Sequence, residues 1–266
     1  MNRKIKNIKL FVNDNEKSKN ISKLVEEKLR NASFSIVDSH YDLAIAIGGD
    51  GSFLRMVKEN SFDSNIYYVG INAGTLGFLQ EITLEDIDEF ISNLKNNSFD
   101  VSEIGIQETK ITTEKDEHFF YSLNEIVIRN LLLNTCHFDV IVENSLLEHY
   151  VGDGMLIATS SGSTAYNLSF GGSIVFDDFH SLQLTPIAPL NSKVYRSLRN
   201  SVIIPENKMV TIIPKKDKRN FLITVDGENY SFEDVEKIEM VVDKKKIRFL
   251  RFSSKFVDKV HDKFLN

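Results

Sequence analysis

The sequence has little cysteine, no long apolar run and no excess of positive charge, and each absence excludes a class of protein. Cys136 is the single cysteine among 266 residues, so no disulfide can form within the chain. The residues after Met1 lack the apolar core of a signal peptide, and no apolar run approaches the ~20 residues that cross a bilayer. A formal net charge of -6 argues against binding to a polyanion. We therefore expect a cytoplasmic protein that neither spans a membrane nor binds nucleic acid.

Two familiar nucleotide-binding motifs and the common metal motifs are also missing. The chain has no Walker loop of the form GxxxxGK[ST] and no GxGxxG fingerprint. Its histidines show no metal-ligand spacing such as HExxH, so the sequence identifies no metal ligand. Any nucleotide site must therefore be built from other residues.

Hydrophobic residues make up 42% of the chain, which is enough for a proper core, and they follow two different patterns. Over roughly the first hundred residues, short apolar runs alternate with amphipathic stretches, one of which carries Ile21, Leu24, Val25 and Leu29 at helical spacing. Such alternation is typical of parallel strands covered by helices, with ligands bound at the carboxyl ends of the strands. Later segments are β-rich with few helical patterns. We predict a Rossmann-like α/β domain with a parallel sheet, followed by a β-rich domain.

The change of pattern places the domain boundary near Asn97 to Ser102, which gives domains of 1–100 and 101–251. Apolar residues at helical spacing in the last segment, about 252–266, predict a helix that packs back on the first domain. Within the β-rich domain, Asp226-Gly227 predicts a tight hairpin turn, and Asp243-Lys244 predicts a second.

The first segment that carries chemistry joins an apolar strand to a helix through a glycine-rich loop. Gly48, Gly49 and Gly51 let the backbone approach a ligand, and N–H groups at a helix start attract phosphate. Ser52 is a suitable N-cap for that helix, which also carries Arg55 as a candidate phosphate contact. Asp50 would repel a phosphate unless it holds a metal or takes a proton, so its presence suggests chemistry. The alternative is an ordinary glycine turn with an exposed aspartate.

A second polar segment follows the apolar strand YYVGI, again at a carboxyl end. Asn72, Gly74 and Gly77 lie just beyond this strand, and Gly74, Leu76 and Phe78 are the candidates for a pocket wall. By itself the segment is also compatible with a plain turn between a strand and a helix. The segment indicates a ligand site only in combination with the first loop, since the two glycine-bearing loops would then flank one crevice.

Asn124-Glu125 places an amide and a carboxylate side by side within an otherwise apolar run. Neighbours in a strand point to opposite faces, so the simplest expectation is one inward and one solvated residue. The functional alternative pairs the asparagine with an adenine edge and the glutamate with two ribose hydroxyls, since both are good matches of donor and acceptor.

The fourth segment is the most distinctive, because small hydroxylated residues crowd the loop after an apolar strand. The loop runs from Thr159 to Thr164, and a helix with Tyr166 follows it. A tyrosine there could stack on a purine, and Asp153, which precedes the strand, could bind an amide or a ribose. The alternative is a buried Ser/Thr turn that only caps the helix.

Together the four segments resemble the NAD kinase family, over about Asp42 to Asp226. GGDGS resembles the family's GGDG(T) loop, NAGTLGFL its NxGxLGFL segment, Asn124-Glu125 its NE pair, and SSGSTAYNLSFGG its TxxGSTAYxLSxGG signature. The last motif is highly specific. The GGDG loop is not, because lipid kinases and phosphofructokinases carry similar loops.

The resemblance implies a role for each matching position. Asp50 would accept the proton of the 2′-hydroxyl of the adenosine ribose, with Gly51 beside it. Asn124 and Glu125 would hold adenine and ribose, and Asp153 would contact the nicotinamide side or a neighbouring subunit's ligand. The remaining residues implied to bind NAD are Ser161, Thr164, Ala165, Tyr166, Asn167, Leu168, Ser169 and Ala188.

The implied reaction transfers the γ-phosphoryl of ATP to the 2′-hydroxyl of the adenosine ribose of NAD and yields NADP. The resemblance further implies a divalent ion, Mg²⁺ foremost, ATP or polyphosphate as donor, and a homodimer or homotetramer. Domain 1–100 would bind nucleotide and domain 101–251 would bind NAD. Val151 departs from the family where many relatives carry a basic residue, and Ser52 replaces the commoner threonine.

Two other functions remain open at this level. A lipid kinase shares the GGDG loop but should favour a hydrophobic acceptor, against which the purine-suited GSTAY segment argues. A non-catalytic NAD(P) sensor would require that the acid be missing or the crevice occluded, and Asp50 is present.

Overall fold

The computed structural model describes residues 4–74, 77–176, 178–215, 219–252 and 256–265. In chain order its strands and helices are β1 (Asn7–Val12), α1 (Glu16–Asn31), β2 (Ser35–Ile36), β3 (Leu43–Gly48), α2 (Asp50–Glu59), β4 (Tyr67–Asn72), α3 (Ile87–Lys95), β5 (Asp100–Thr113), β6 (Glu117–Ser122), β7 (Glu125–Asn130), β8 (Cys136–Val142), β9 (Ser145–Gly152), β10 (Gly154–Thr159), α4 (Tyr166–Ser169), β11 (Ser181–Ile187), β12 (Val202–Pro205), β13 (Val210–Pro214), β14 (Phe221–Val225), β15 (Glu228–Phe232), β16 (Val235–Arg251) and α5 (Phe256–Phe264). A short 3-10 helix, Ser161–Thr164, precedes α4.

The chain divides into two compact units. Unit 1 combines Met1–Ile104 with Lys246–Asn266, and unit 2 is Gly105–Lys245. Strands β5 and β16 each begin in one unit and end in the other. Unit 1 is therefore assembled from both ends of the chain.

Unit 1 is built on a parallel sheet. Its strand order is β2-β1-β3-β4, and Arg248 and Phe249 of β16 extend it by pairing in parallel with β4. Every residue of β3 is buried, as expected for a central strand with helices packed on it. The predicted Rossmann-like α/β fold is thus confirmed.

Helix α1 shows how the local sequence positions an element of this unit. The side chain of Asn15 accepts the Ser18 amide at 2.8 Å and caps the helix start. Ile21, Val25 and Leu29 are spaced four apart and lie buried on one face. Leu24 belongs to the predicted apolar pattern but is 43% exposed, so the buried face is narrower than the sequence indicated.

Unit 2 is β-rich, as the sequence predicted, and the structure shows that its strands pair antiparallel. One sheet has the order β12-β11-β10-β7-β14-β15. In the other, β8 lies between β9 and β13, and the first half of β16 pairs with β13. Apolar side chains from both sheets form one buried cluster, which includes Ile128, Phe138, Ile157, Leu184 and Ile212.

Only one of the two predicted hairpin turns exists. Val225 pairs with Glu228, so Asp226 and Gly227 form a two-residue turn, with φ angles of 44° and 89°. The second prediction was wrong, because Asp243 and Lys244 lie inside the continuous strand β16. That pair lacks the glycine that makes a left-handed turn easy, and buried residues continue on both sides of it.

Among the described residues, no helix combines the length and the apolar character that crossing a membrane requires.

Candidate functional site

Asp50 lies in the first turn of α2, directly after the buried strand β3 and the N-cap residue Gly49. The expectation that Ser52 caps this helix was wrong, because the helix begins two residues earlier and has no side-chain cap. Oδ2 of Asp50 accepts the Phe78 amide at 3.0 Å, and Oδ1 accepts the Leu79 amide at 3.0 Å. Two N–H donors and the positive end of a helix together stabilise a negative charge on this carboxylate.

The glycines of the two loops in unit 1 fall into two groups. At Gly77 a Cβ would lie 2.0 Å from Oδ1 of Asp50, and at Gly48 it would lie 2.2 Å from Oγ of Ser52. Only glycine permits these close approaches. At Gly49, Gly51 and Gly74 a Cβ would meet nothing within 4 Å. Those three positions therefore leave open backbone that a ligand could approach.

Arg55 points away from the core, one turn after Asp50. Its Nη2 lies 3.3 Å from Oδ1 of Asn13. Arg55 and the buried Ser52 line a cavity of about 250 Å³, together with residues of β1. The arrangement places a cation and a hydroxyl next to the helix start, where an anion is favoured.

The segment that donates the amides to Asp50 contains the predicted pocket wall. Asn72 forms a tight turn with Gly74, whose N–H donates to Oδ1 of Asn72 at 2.9 Å. Phe78 is half-buried, and its ring lies 5.5 Å from that of Phe264 in α5. The third candidate, Leu76, lies outside the described residues.

In unit 2, Asn124 and Glu125 are both buried, each 8% exposed, so the expectation of one solvated residue was wrong. The apolar run around them is also interrupted, because β6 ends at Ser122 and β7 begins at Glu125. The side chain of Asn124 makes no hydrogen bond within the described part of the chain, and Oε2 of Glu125 is likewise buried without a protein partner there. A buried polar atom without a partner, such as Oε2 of Glu125, is rare and marks a place for a ligand or water.

Asp226, in the turn between β14 and β15, binds the backbone of Asn124 and Glu125. Its carboxylate accepts the N–H groups of Leu123, Asn124 and Glu125 at 2.7 to 3.1 Å. Sequence reasoning identified Asp226 as a turn residue and gave it no role in the site. No local signal could reveal this contact, since it joins positions 102 apart.

The Glu125 carboxyl has an unusual proton affinity. Burial raises its pKa, the negative charge of Asp226 raises it further, and a backbone hydrogen bond from Tyr166 opposes both, so that the pKa is about 8. The carboxyl therefore carries a proton at neutral pH. In that form it can donate a hydrogen bond as well as accept one.

The hydroxyls of the Ser/Thr loop are divided between the protein interior and the surface. Oγ1 of Thr159 donates to the Leu123 carbonyl, Ser160 to the Phe179 carbonyl, and Ser163 to the Val175 carbonyl. The Gly162 amide donates to Oγ1 of Thr159 at 3.1 Å. These residues build the turn. Within the described ranges, by contrast, the side chains of Ser161, Thr164 and Ser169 make no hydrogen bond.

Asn167 belongs with the buried group. It is fully buried, its Nδ2 donates to the Ser163 carbonyl at 3.2 Å, and its Oδ1 accepts the Thr185 hydroxyl at 2.6 Å. Ala165 and Leu168 are half-buried and Ser169 is exposed. The side chain of Asn167 therefore supports the turn, and a contact of this residue with NAD stays a prediction.

Tyr166 is 42% exposed at the start of α4, as a stacking surface requires. Nη2 of Arg129 donates to its hydroxyl at 3.1 Å, and the guanidinium carbon lies 5.9 Å from the ring centroid. Phe170 packs edge-on against the same ring at 4.8 Å. Sequence reasoning did not identify Arg129 as a site residue, because no local pattern distinguishes one polar residue within the apolar strand β7.

Asp153 and Ala188 lie side by side, because Asp153 precedes the first residue of β10 and Ala188 follows the last residue of its partner strand β11. The Asp153 amide donates to the Ile187 carbonyl at 2.9 Å, and both Asp153 and Ala188 are exposed. Ala188 has a φ of 44°, a left-handed conformation that costs free energy for a residue with a Cβ. The hydroxyl of Tyr150 lies 2.7 Å from the Ile187 carbonyl and supports this corner from the core.

No group of three or more His, Cys, Asp or Glu side chains is placed to hold a metal ion among the residues that the structure describes.

Comparison with known proteins covers nearly the whole chain. Residues 1–99 match the family model for the ATP-NAD kinase N-terminal domain, and residues 123–252 match that for the ATP-NAD kinase C-terminal domain. An NAD kinase of Finegoldia magna is 37% identical over 100% of both chains. An NAD kinase of Streptococcus pneumoniae is 33% identical over 98% of this chain and 96% of its own.

Among solved structures, that of yeast NADH kinase complexed with NADH superposes with a TM-score of 0.83. The match covers 99% of this chain and 88% of the yeast chain, at 19% identity. At that identity the likeness concerns the fold.

Proposed function

The chain belongs to the NAD kinase family and phosphorylates NAD to NADP with ATP, and we propose that Asp50 is the general base of this reaction. The match of both halves to NAD kinase domains decides against the lipid-kinase alternative. The observation that carries the proposal is the Asp50 carboxylate, whose two oxygens are held by the Phe78 and Leu79 amides. Each oxygen retains a lone pair that can accept a proton.

The proposed chemical step is an in-line transfer of the γ-phosphoryl group. Asp50 takes the proton of the 2′-hydroxyl while the hydroxyl oxygen forms a bond to the γ-phosphorus of ATP. The bond to the bridging oxygen breaks in line, and ADP leaves with that electron pair. Positioning and electrostatics supply most of the rate in such transfers, and a general base adds about 10²- to 10⁴-fold.

We propose that unit 2 binds the adenosine half of NAD. Asn124 and Glu125 are buried, and Oε2 of Glu125 has no hydrogen-bond partner among the described residues, which suits contacts with the adenine edge and the ribose hydroxyls. Tyr166 offers its exposed ring for stacking. Ser161, Thr164, Ala165, Leu168, Ser169 and Ala188 contribute the surrounding surface, Asp153 contacts the nicotinamide side or a neighbouring subunit's ligand, and Asn167 supports the turn.

Gly49, Gly51 and Arg55 are the proposed contacts for the donor phosphates in unit 1. The open backbone at the glycines and the cation beside the helix start support this role. When bound, Mg²⁺ spreads the charge of the ATP phosphates, and it is commonly held by those phosphates, water and one or two carboxylates. Polyphosphate is a second possible donor.

The family resemblance also supports a homodimer or homotetramer that works in the cytoplasm. Light scattering coupled to size-exclusion chromatography tests the first point, because a monomeric mass at assay concentration contradicts it. Fractionation of cells tests the second.

The test of the base compares NADP formation by the wild-type protein and Asp50→Asn, with ATP and Mg²⁺, through a coupled NADP-specific dehydrogenase. We expect kcat to fall by about 10²- to 10⁴-fold while NAD binding persists. Asp88→Asn is the matched control, since Asp88 also lies in the first turn of a unit 1 helix but has a side chain 80% exposed. Normal turnover by Asp50→Asn would refute the assignment of the base.

A further inference from the structure

A buried ion cluster in unit 1 lies outside the residues given a role above. Lys259 of α5 is 4% exposed, and its Nζ lies 2.8 Å from Oε2 of Glu81, whose side chain is 0% exposed. Arg251 approaches the same oxygen at 3.3 Å, and Oε1 accepts the Phe252 amide. The attraction of the two cations, together with the Phe252 hydrogen bond, outweighs burial and lowers the pKa of Glu81.

The cluster is connected to Asp50 through one peptide group. Nζ of Lys259 donates to the carbonyl oxygen of Phe78 at 3.2 Å. That carbonyl shares its peptide plane with the N–H of Leu79, which donates to Oδ1 of Asp50 at 3.0 Å. Because the peptide is rigid, a donor that holds its carbonyl also sets the direction of its N–H. A positive charge at the carbonyl further polarises the group and strengthens the hydrogen bond at its other end.

Helix α5 also holds the side chain of Phe78. Rings of Phe256 and Phe264 lie 6.0 Å and 5.5 Å from the Phe78 ring. Nζ of Lys263 lies 5.0 Å from the centroid of that ring. The backbone and the side chain of Phe78 are therefore both fixed by the same helix.

We propose that Lys259 is a positioning residue for Asp50, acting through the peptide group that joins Phe78 to Leu79. The inference rests on the proposed role of Asp50 as the base. Lys259 itself has no proposed contact with a substrate. It sets the orientation of the carboxylate that does.

A purely structural role for the cluster predicts something different. Buried ion pairs contribute little net stability, because desolvation offsets their attraction, but they hold a particular arrangement. If the cluster only attached α5, its loss would lower thermal stability and affect all kinetic constants through unfolding. If it orients Asp50, its loss lowers kcat in the folded enzyme and leaves NAD binding intact.

The first experiment measures kcat and the KM for NAD of Lys259→Met and Lys259→Arg. Methionine keeps the length of the side chain without a donor, and we expect kcat to fall by about 10- to 100-fold with the KM for NAD nearly unchanged. Arginine retains a cationic donor and should recover most of kcat. Lys23→Met is the control, because Lys23 is exposed on α1 in the same unit. Wild-type kcat in Lys259→Met would overturn the proposal.

In Lys259→Met, the buried Glu81 keeps Arg251 but loses its nearer cation, which could impair folding, and a second variant controls for this effect. Glu81→Gln combined with Lys259→Met removes both charges and still lacks the donor to the Phe78 carbonyl. We expect this double variant to fold, by circular dichroism, and to keep the low kcat of Lys259→Met. Recovery of wild-type kcat in the double variant would show that the stranded charge, and not the lost donor, caused the defect.

The third measurement separates this inference from the role of Asp50 itself. With enzyme in stoichiometric excess, slow turnover by Asp50→Asn can be followed over hours, with and without Lys259→Met. If Lys259 acts through Asp50, the second substitution adds little to the first. Full multiplication of the two losses refutes the positioning role, whereas normal turnover by Asp50→Asn refutes the base assignment.

Discussion

Oδ1 of Asp226 accepts the backbone N–H of Asn124 at 2.8 Å, across 102 positions of sequence. The same carboxylate accepts the neighbouring amides of Leu123 and Glu125. Asp226 reaches them from a hairpin turn in which its own φ is 44°. The geometry of the proposed adenosine contacts therefore depends on a turn residue of a distant strand pair.

We predict that Asp226→Asn raises the KM for NAD about tenfold and lowers the free energy of unfolding by about 2 kcal/mol. The amide group that replaces one oxygen cannot accept the N–H groups held there, and hydrogen bonds to charged groups contribute about 1.5–3 kcal/mol. Steady-state kinetics and urea denaturation measure both effects. Asp234→Asn is the control, since Asp234 also has a positive φ of 52° but is exposed. Equal effects of the two substitutions would contradict the prediction.

The close approach of Gly77 to Asp50 leads to a second prediction. A Cβ at Gly77 would lie 2.0 Å from Oδ1 of Asp50, so Gly77→Ala must displace either the loop or the carboxylate. Misplacement of a catalytic group by about 1 Å can cost about 10²-fold, and we expect kcat to fall by that order while NAD still binds, by calorimetry. Ser92→Ala, at an exposed position on α3 of the same unit, is the control and should leave kcat unchanged. A wild-type kcat in Gly77→Ala would contradict the prediction.

The raised pKa of Glu125 makes stability depend on pH with a definite sign. The folded protein keeps this proton up to a pKa of about 8, whereas the unfolded chain releases it near 4.5. Between these values the native state binds the extra proton, so Glu125 makes the free energy of unfolding fall as pH rises, by at most roughly 1.4 kcal/mol for each pH unit. Above pH 8 this contribution is constant.

Glu125→Gln removes that dependence. Denaturation at pH 5 and pH 8 should show a smaller loss of stability in Glu125→Gln than in the wild type, and Glu233→Gln, at an exposed position, serves as the reference. Parallel curves for wild type and Glu125→Gln would mean that the carboxyl is ionised throughout the window.

Tyr150→Phe tests the support beneath Ala188. The Tyr150 hydroxyl lies 2.5 Å from the Gly154 carbonyl and 2.7 Å from the Ile187 carbonyl, both inside the core. Its removal deletes a buried hydrogen bond, which costs about 0.5–1.5 kcal/mol of unfolding free energy, since the Ile187 carbonyl keeps the Asp153 amide as a donor. Tyr195→Phe, at a side chain 39% exposed, should change stability by less than about 0.5 kcal/mol. Denaturant titration of both variants decides the comparison.

The local patterns predicted the parallel sheet, the β-rich half and the Asp226-Gly227 turn, because each depends on residues a few positions apart. The same patterns gave wrong predictions for a helix cap and for the burial of one residue pair, where long-range contacts or a bend in the chain override the local preference. Ser52 is a good cap by type, yet the helix begins at Asp50, where the Phe78 and Leu79 amides hold the carboxylate. Asn124 and Glu125 are both buried, because the chain bends before β7 and does not alternate through the pair.

The amino-acid sequence by itself determined the family, the reaction and the segments proposed to carry the chemistry, since these follow from short motifs whose residues are adjacent in the chain. Only the tertiary structure decided which hydroxyls of the Ser/Thr loop face inward, that Gly77 must lack a Cβ beside Asp50, and that Lys259 holds the peptide group that binds it. These relationships join residues that packing brings together from distant positions. Distances of a few ångströms between such residues depend on how every intervening element packs, and no periodicity or motif in the sequence encodes them separately.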